Sequence, residues 1–514
     1  MCIRRIAALG AALATAALLP GCIAVGPDFL HPAPPETGRY TREPLRPHTS
    51  ATDAPTGRSQ RFVQGRDIPQ EWWQLFRSPG LNNLIGRSLR ANPNLQATMS
   101  SLRAAKEFVY AQQGKFFPTV QGNFNPTRQL NSSAISPTTA SGANPFDLYT
   151  AQVLVSYTFD VWGANRRAVE GLQAQADAQR FQVEAAYLAL TANVVVAAIT
   201  EASLRAQIDT TNQLIDLNRK ALGVLRRQLD AGYANRSDVA AQEAALAQVE
   251  ATLPPLRKAM EQNRNLLAAL AGSFPTNEPH EIFRLDALQL PQDLPLSVPS
   301  QLVEQRPDIR NAEELLHAAS AQVGVAIANE LPSFTINGTQ GGYMGTVLAS
   351  LINPANAFWI ISGNVTHTIF DGMTLLHQER GAKAAYDAAA WLYRAAVVGA
   401  VQNVADVLRA LQNDADALRA AREFERAAKI SYDLARQQLD AGNINILLLL
   451  NAQQTYLQAR LQVVQARAAR LADTAALFQA LGGGWWNRAA PPVEKILNVG
   501  TGQPFTLIDR FNFY

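Results

Sequence analysis

Side chains able to do covalent or metal chemistry are few in this chain, and their spacing argues against catalysis. Six histidines stand at positions 31, 48, 280, 317, 367 and 377. No two lie three or four residues apart, the spacing that would aim both rings at one ion, so no metal site is expected. There is no Gly-x-Ser-x-Gly elbow, no Gly-x-x-x-x-Gly-Lys-Ser/Thr phosphate loop and no cysteine placed as a nucleophile. Gly338-Thr339-Gln340-Gly341-Gly342 is rich in glycine, but it falls between strands rather than ahead of a helix and reads as a loop. Neither an enzyme nor a cofactor is expected.

One thiol has a defined chemistry. Cys22 follows Leu19-Pro20-Gly21, an order that resembles a bacterial lipobox, in which the cysteine receives lipid and becomes the first residue of the mature chain. Pro20 is an unusual choice there, and an ordinary cleaved signal with an incidental cysteine is the alternative. Upstream, Arg4 and Arg5 precede the apolar run Ile6–Leu19. These are the charged and apolar regions of an export signal, residues 1–21, too short to span a bilayer. Cys2, the only other cysteine, would leave with that signal, so no disulfide supports the fold. Ala24, two residues after Cys22, is not the aspartate that usually retains lipoproteins in the inner membrane.

The elements around that anchor have to be positioned by a chain of 514 residues, long enough for about three domains of roughly 150 residues. With 45 basic and 42 acidic residues, a formal charge of +3, no nucleic-acid partner is expected. Apolar residues make up 47% and charged residues 17%, and mean hydropathy is −0.08, a composition that excludes disorder. After residue 22 no run approaches the roughly 18 uninterrupted apolar residues of a spanning helix, so any passage through a bilayer would use strands.

The chain also contains itself twice. Asn92-Pro93-Asn94-Leu95 answers to Arg306-Pro307-Asp308-Ile309, Thr158-Phe159-Asp160 to Ile369-Phe370-Asp371, and Gln228-Leu229-Asp230-Ala231-Gly232 to Gln438-Leu439-Asp440-Ala441-Gly442. Ala269-Leu270-Ala271-Gly272 and Ala480-Leu481-Gly482-Gly483 close the two copies. The expected division is a signal at 1–21, a lipidated N-terminal segment at 22–80, copy one at 81–272, a Pro-rich linker at 273–298, copy two at 299–483 and a tail at 484–514. Each copy reads as helix, strand, loop, strand, very long helix, turn and long helix, giving a mixed α and β, mainly α, fold.

Strand patterning has period two. Tyr149, Ala151, Val153, Val155, Tyr157 and Phe159 alternate with Thr150, Gln152, Leu154, Ser156 and Thr158; Val120 and Phe124 alternate with Gln121 and Asn123. In the second copy Phe334 and Ile336 alternate with Thr335, and Trp359, Ile361, Val365 and Ile369 with Ser362, Asn364 and Thr366. One apolar and one polar face suit a half-buried soluble sheet or a barrel with lipid outside and water inside; the export signal favours the barrel. Residues 164–231, without proline, would reach about 100 Å as one helix. Val397, Val401, Val404, Leu408, Leu411, Ala415 and Leu418 form a heptad seam, as do Leu447, Leu450, Gln454, Leu457, Leu461, Val464, Ala468, Leu471, Ala475 and Phe478. Pro254-Pro255 must bend or break the corresponding helix of the first copy.

Val25-Gly26-Pro27-Asp28-Phe29 with Pro32, then Trp72-Trp73-Gln74-Leu75-Phe76, Leu81-Asn82-Asn83-Leu84-Ile85, and Gln305-Arg306-Pro307-Asp308-Ile309-Arg310 are similar to landmarks of the TolC-like outer membrane factors, the lipoproteins of resistance-nodulation-division efflux systems. The resemblance covers Cys22 to about Gly484. It implies a homotrimer whose four strands per chain form one twelve-stranded β-barrel in the outer membrane, continuous with a periplasmic coiled-coil barrel of helices. Strand number alone leaves two copies or three open. Loops at about 126–147 and 343–357 would face outward. Implied partners are a periplasmic adaptor (membrane fusion) protein, an inner-membrane resistance-nodulation-division transporter and outer-membrane lipid. The implied function is a passive exit duct of a tripartite efflux system. A duct for type I protein secretion and an exported structural coiled-coil lipoprotein are the alternatives.

Within that resemblance, Gly232 and Gly442 would lie in the turns at the far periplasmic tip and, with Ser237 and Asp238 at the start of the returning helix, would dock the adaptor. Plain helix termination is the competing reading for each. Leu447 and Asn451 occupy positions that resemble a leucine ring and an aspartate ring narrowing the tunnel mouth, with asparagine here in place of the aspartate. Leu447 equally fits the heptad seam.

Overall fold

The computed structural model describes residues 24–132 and 144–488; the signal at 1–21, Cys22 and most of the tail at 484–514 lie outside the described residues. In chain order the elements are β1 (Arg61–Gln64), α1 (Pro79–Ala91), α2 (Pro93–Gln113), β2 (Thr119–Gln129), β3 (Phe146–Phe159), α3 (Ala164–Asp230), α4 (Arg236–Glu250), α5 (Leu253–Leu270), β4 (Asp293–Leu296), α6 (Pro299–Gln305), α7 (Pro307–Asn329), β5 (Ser333–Gly345), β6 (Ala357–Thr366), α8 (Thr374–Asp440) and α9 (Ile446–Ala480). The chain divides into two compact units. One comprises the described residues up to Pro32 with Leu102–Gln179 and Ala312–Arg394; the other comprises Ala33–Ser101, Arg180–Asn311 and the described residues from Ala395 onward. Each unit draws on both halves of the sequence.

The first unit holds one antiparallel sheet in the order β2-β3-β5-β6, with β3 pairing β5 through Phe159 opposite Phe334 and Tyr157 opposite Ile336. The strands run further into the two segments expected to face outward than the sequence suggested, β2 to Gln129 and β5 to Gly345. The glycine run at 338–342 is not a loop. It lies inside β5, where the register slips beside Thr339 and Gly342. An extra residue on one strand makes such a bulge, and glycine allows close cover there: a Cβ on Gly342 would sit 2.5 Å from the Phe358 ring. β6 ends at Thr366, so Ile369 lies beyond the strand that its alternation suggested. Both long helices begin on an aspartate. Asp160 accepts from the amides of Asn165 and Arg166 at 2.8 and 3.0 Å, and Asp371 from that of Leu375 at 2.8 Å, satisfying amides that no preceding turn can reach.

In the second unit α1 packs Leu81, Leu84 and Ile85 beside Trp72, Trp73 and Phe76, all buried, and Trp72 stacks on Phe478 at 5.3 Å. Asn92 and Arg306, each just before a helix-starting proline, do the same work: Asn92 Nδ2 donates to Leu270 O at 3.1 Å and Arg306 Nη1 to Ala480 O at 2.9 Å. Each reaches the last carbonyl of a long helix. Just beyond, a Cβ on Gly272 would lie 2.2 Å from Ala91 O and one on Gly482 2.3 Å from Gln305 O. These contacts equate Gly272 with Gly482, one residue out of the register in which the closing Ala-Leu motifs align.

Proline 254 and 255 fall in the first turn of α5, and the helix breaks at 251–252; α9, without proline, runs 35 residues unbroken. The α8 seam is buried at Val404, Leu408, Leu411, Ala415 and Leu418. Among the described side chains of α9 the expected seam is fully buried only from Leu471 onward, through Ala475 and Phe478. Earlier, Leu449, Gln453, Ala459, Val463 and Arg470 are the buried residues among those described, because α9 is apolar or alanine-rich on several faces and packing chose among them. An 18-residue window of α3 has a mean hydropathy of 1.7, long and apolar enough to cross a membrane by composition, but 61% of it is buried within the protein.

An N-terminal strap crosses α8 and α9. Arg470, fully buried, donates to Thr49 Oγ1 and Arg58 O at 2.8 Å and to Thr56 O at 3.0 Å, while Arg46 and Ser50 bind Asp416. Burial lowers the Arg470 guanidinium to about 10. Burial, helped by a hydrogen bond and repulsion from Asp414, pushes the Asp473 carboxyl up to about 7.

Candidate functional site

The sheet has two faces of opposite character and two open edges. Cross-strand rows align Val120, Val155, Gly338 and Ile361 on one face and Thr119, Ser156, Asn337 and Ser362 on the other. The polar face bonds to itself: Ser156 Oγ donates to Asn337 Oδ1 at 2.7 Å, and the Thr158 and Thr335 hydroxyls meet at 3.2 Å. The apolar face is bare, with Phe124 56%, Trp359 74%, Ile361 67% and Val365 67% exposed. A soluble monomer seldom leaves so continuous an apolar surface uncovered. β2 and β6 each lack a neighbour on their outer edge in the described sheet. Unpaired edges of that length are templates for another strand.

The two helix ends in the second unit share one backbone solution. Gly232, at φ 76°, donates to Leu229 O at 3.0 Å, and Tyr233 donates to Gln228 O at 2.7 Å; Gly442, at φ 75°, donates to Leu439 O at 2.9 Å, and Asn443 to Gln438 O at 2.8 Å. This pairing of bonds terminates a helix through a left-handed residue, which glycine adopts without steric cost. A Cβ at either glycine would meet nothing within 4 Å, so the requirement for glycine is conformational. Asp238 accepts from the Asn235 amide at 3.2 Å in the first turn of α4, as its position suggested, while Ser237 lies exposed beside it. The caps themselves are Asn235 and Asn445, neither of them among the expected tip residues, although asparagine before a helical run is a start signal.

Packing brings the two turns together. Ile446 at the start of α9 packs on Leu222, Leu225 and Val239 of α3 and α4, and Arg460 donates to Gln213 at 2.8 Å. The backbone of Leu447 is in the first turn of α9; its side chain lies outside the described set. Asn451 is exposed, its carbonyl accepting from Thr455 at 2.8 Å. It lines a groove of about 320 Å³ with Leu214, Asn218, Ala241 and Leu457. Among the described residues no three potential metal ligands converge; His31 and His317 instead face carboxylates of Glu313 and Glu170.

A sheet with an uncovered apolar face and open edges, joined to helices of 67 residues, is incomplete as a single copy: the face calls for an apolar surrounding and the edges for further strands. The sequence profile of the outer membrane efflux protein family matches residues 84–273 and again 298–483. The probable efflux pump outer membrane protein TtgC of Pseudomonas putida is 27% identical over 92% of this chain and 95% of its own length. The pyoverdine export outer membrane protein OpmQ of Pseudomonas aeruginosa is 29% identical over 91% and 96%. Among solved structures, the outer-membrane channel OprN superposes with a TM-score of 0.79 at 24% identity, covering 90% of this chain and 99% of that one. The Campylobacter jejuni CmeC outer membrane channel gives 0.80 at 19% identity, covering 93% and 98%. The chain belongs to the outer membrane efflux protein family. It acts as an outer-membrane efflux component.

Proposed function

We propose that three copies of this chain form the exit duct of a tripartite efflux system, passing substrates that an inner-membrane resistance-nodulation-division pump delivers through a periplasmic adaptor. The observation that carries this reading is the four-stranded sheet. Its strands alternate in direction, so β2 and β6 run opposite ways, and β6 of one copy can pair antiparallel with β2 of the next until the ring closes. Closure removes both edges, places the apolar face in lipid and leaves the polar face around water. Two copies would give about eight strands, a bore filled by side chains; three give about twelve, which leaves a channel. The relatives bear efflux and export names, which favours this reading over protein secretion.

The same reading assigns an internal twofold repeat, supported by the two profile matches and by the paired contacts of Asn92 and Arg306, with domain limits at 81–272 and 299–483. It assigns lipidation to Cys22, adaptor docking to Gly232, Ser237, Asp238 and Gly442, and the tunnel constriction to Leu447 and Asn451. Three leucines near a threefold axis resist wetting, and three asparagines hydrogen-bond without charge. The test is single-channel conductance of the purified protein in planar bilayers. Heat-resistant trimers with Leu447→Ala and Asn451→Ala conducting more than the native protein, and Asn451→Asp gaining block by divalent cations, are expected. Native-like conductance in both alanine variants returns Leu447 to helix packing and moves the constriction elsewhere.

A further inference from the structure

The small parallel sheet of the second unit has an edge that its own chain leaves unfinished. Arg61 donates to Gln292 O at 2.7 Å and Gly65 to Leu296 O at 3.1 Å on the β4 side. The alternate residues Gln60, Phe62 and Gln64 therefore turn their amides to the opposite edge of β1. The N-terminal strap covers that edge only in part. The Gln60 amide donates to Thr49 Oγ1 at 2.9 Å, Thr49 donates to Gln60 O at 2.9 Å, and Phe62 donates to Pro47 O at 3.1 Å. Pro47 has no amide to return the bond, and Pro44 stands further along the strap, so the ladder stops there. At Gln64, the next residue on that edge, the amide and carbonyl meet no partner on the strap side among the described residues.

Where the strap leaves β1, a cavity of about 650 Å³ opens. Tyr40, Leu45, Phe62 and Val298 wall it, and it reaches Gln64 and Arg39. The Tyr40 hydroxyl sits 3.4 Å from the buried Ser297 hydroxyl, which fixes one aromatic wall. Among the described residues no aspartate, glutamate or lysine lines the cavity, and three arginines are its only charged side chains. Two of them are already committed, Arg46 to Asp416 at 2.8 Å and Arg61 to Asp293 at 3.1 Å. Arg39 is exposed and has neither an ion pair nor a hydrogen bond among the described residues.

We propose that this groove docks an extended acidic peptide of a partner protein, which adds a short strand at Gln64 and sets a carboxylate on Arg39. Each part of the chemistry selects that occupant. An unpaired strand edge recognises extended main chain. An uncommitted guanidinium offers forked donors that match a carboxylate. Apolar walls beside the edge take the side chains that alternate with the acidic ones. The inference needs neither a trimer nor a conducting duct, so it stands or falls apart from the efflux reading.

The experiment titrates the purified full-length protein with a fluorescein-labelled pentapeptide of alternating glutamate and valine, followed by fluorescence anisotropy. Saturable binding is expected, and the lysine–valine counterpart should not bind. Methylating the peptide's amide nitrogens, which removes donors and keeps charge, should weaken binding about tenfold. Gln64→Ala should bind as the native protein does, because the edge uses main chain, whereas Gln64→Pro should lose about tenfold. Arg39→Glu, at a side chain free of internal partners and so safe for folding, should lose the acidic peptide and bind the lysine one. Absence of binding, or equal affinity of the native protein and Arg39→Glu, overturns the site. A linear polyuronate that binds as tightly as the peptide, with amide methylation and Gln64→Pro both without effect, overturns the peptide in favour of an acidic saccharide. Binding that appears only after removal of residues 489–514 gives the groove to this chain's own tail and overturns the partner.

Discussion

The turn between α3 and α4 and the turn between α8 and α9 have the same five residues before the bend, the same glycine conformation and the same asparagine cap, yet they are held by different forces. The first hairpin is tied by charge and polar contact: Arg219 to Glu250 at 2.7 Å, Arg226 to Glu243 at 2.6 Å, and buried Gln242 donating to Asn218 O and Oδ1 at 3.1 and 3.0 Å. The second is tied by rings, Tyr432 stacked on Tyr456 at 5.8 Å with Arg460 over Tyr456. Gln453, the buried glutamine of α9, leaves Nε2 without a hydrogen-bond partner among the described residues, and the place of Asn218 is taken by Ala428. Backbone geometry at the bend is dictated by glycine and cannot drift, whereas the glue behind it can be exchanged for anything of similar strength. Two hairpins that bend identically can therefore respond differently to salt, pH and substitution.

The largest effect should come from the shared feature. Gly232→Val and Gly442→Val, both without steric clash, should leave folded protein in the outer membrane but abolish export, read as accumulation of a fluorescent efflux substrate. The conformational penalty is about 1–2 kcal/mol each, too small to unfold the protein. Normal export in both discards the docking role of the turns; loss in one alone assigns docking to that hairpin.

Gln242→Leu should destabilise the protein by about 1–3 kcal/mol, because it strands Asn218 Oδ1 even though it also removes the unpaired Gln242 Oε1, while Gln453→Leu should be neutral or stabilising, because it removes a buried Nε2 that has no partner. Thermal unfolding of the purified protein compares them, and equal effects would erase the distinction drawn between the hairpins.

A smaller, pH-dependent difference belongs to α8 and α9 alone. The Asp473 carboxyl, at about 7, titrates well above the ordinary aspartate value of 3.8. The folded state then holds a proton the unfolded chain has lost, so this contribution is intact below about pH 4, declines as pH rises towards 7 and is flat above it. Asp473→Asn should flatten that slope and raise unfolding temperature at pH 8 relative to native.

Smallest is the exposed ion pair. Arg226→Ala should cost about 0.2–1 kcal/mol at low salt and nothing measurable in molar salt, whereas Tyr432→Ala should cost about the same at either. A salt-insensitive Arg226 effect would place that side chain in packing rather than charge.

What the sequence settled by itself was local. Proline-free runs gave the 67-residue helices, Pro254-Pro255 gave the break, Asp-Ala-Gly gave the turns, and alternation at 149–159 gave the strand, because each depends on neighbours within about four residues. Gly232 and Asp238 were legible for that reason. Tertiary structure decided whatever needed a distant partner. It chose Leu449 and Val463 over Leu457 and Leu461 as the buried line of α9, since an alanine-rich helix offers several acceptable faces and only the facing helices select one. It turned the glycine run at 338–342 into a bulged strand, because β3 and β6 supplied bonding partners on both sides. It also gave Arg167 its partners, for nothing near it in sequence announces Val25, Gly26 and Asp28. A buried guanidinium must find several acceptors, and which ones it finds is settled only when chain segments some 140 residues apart meet.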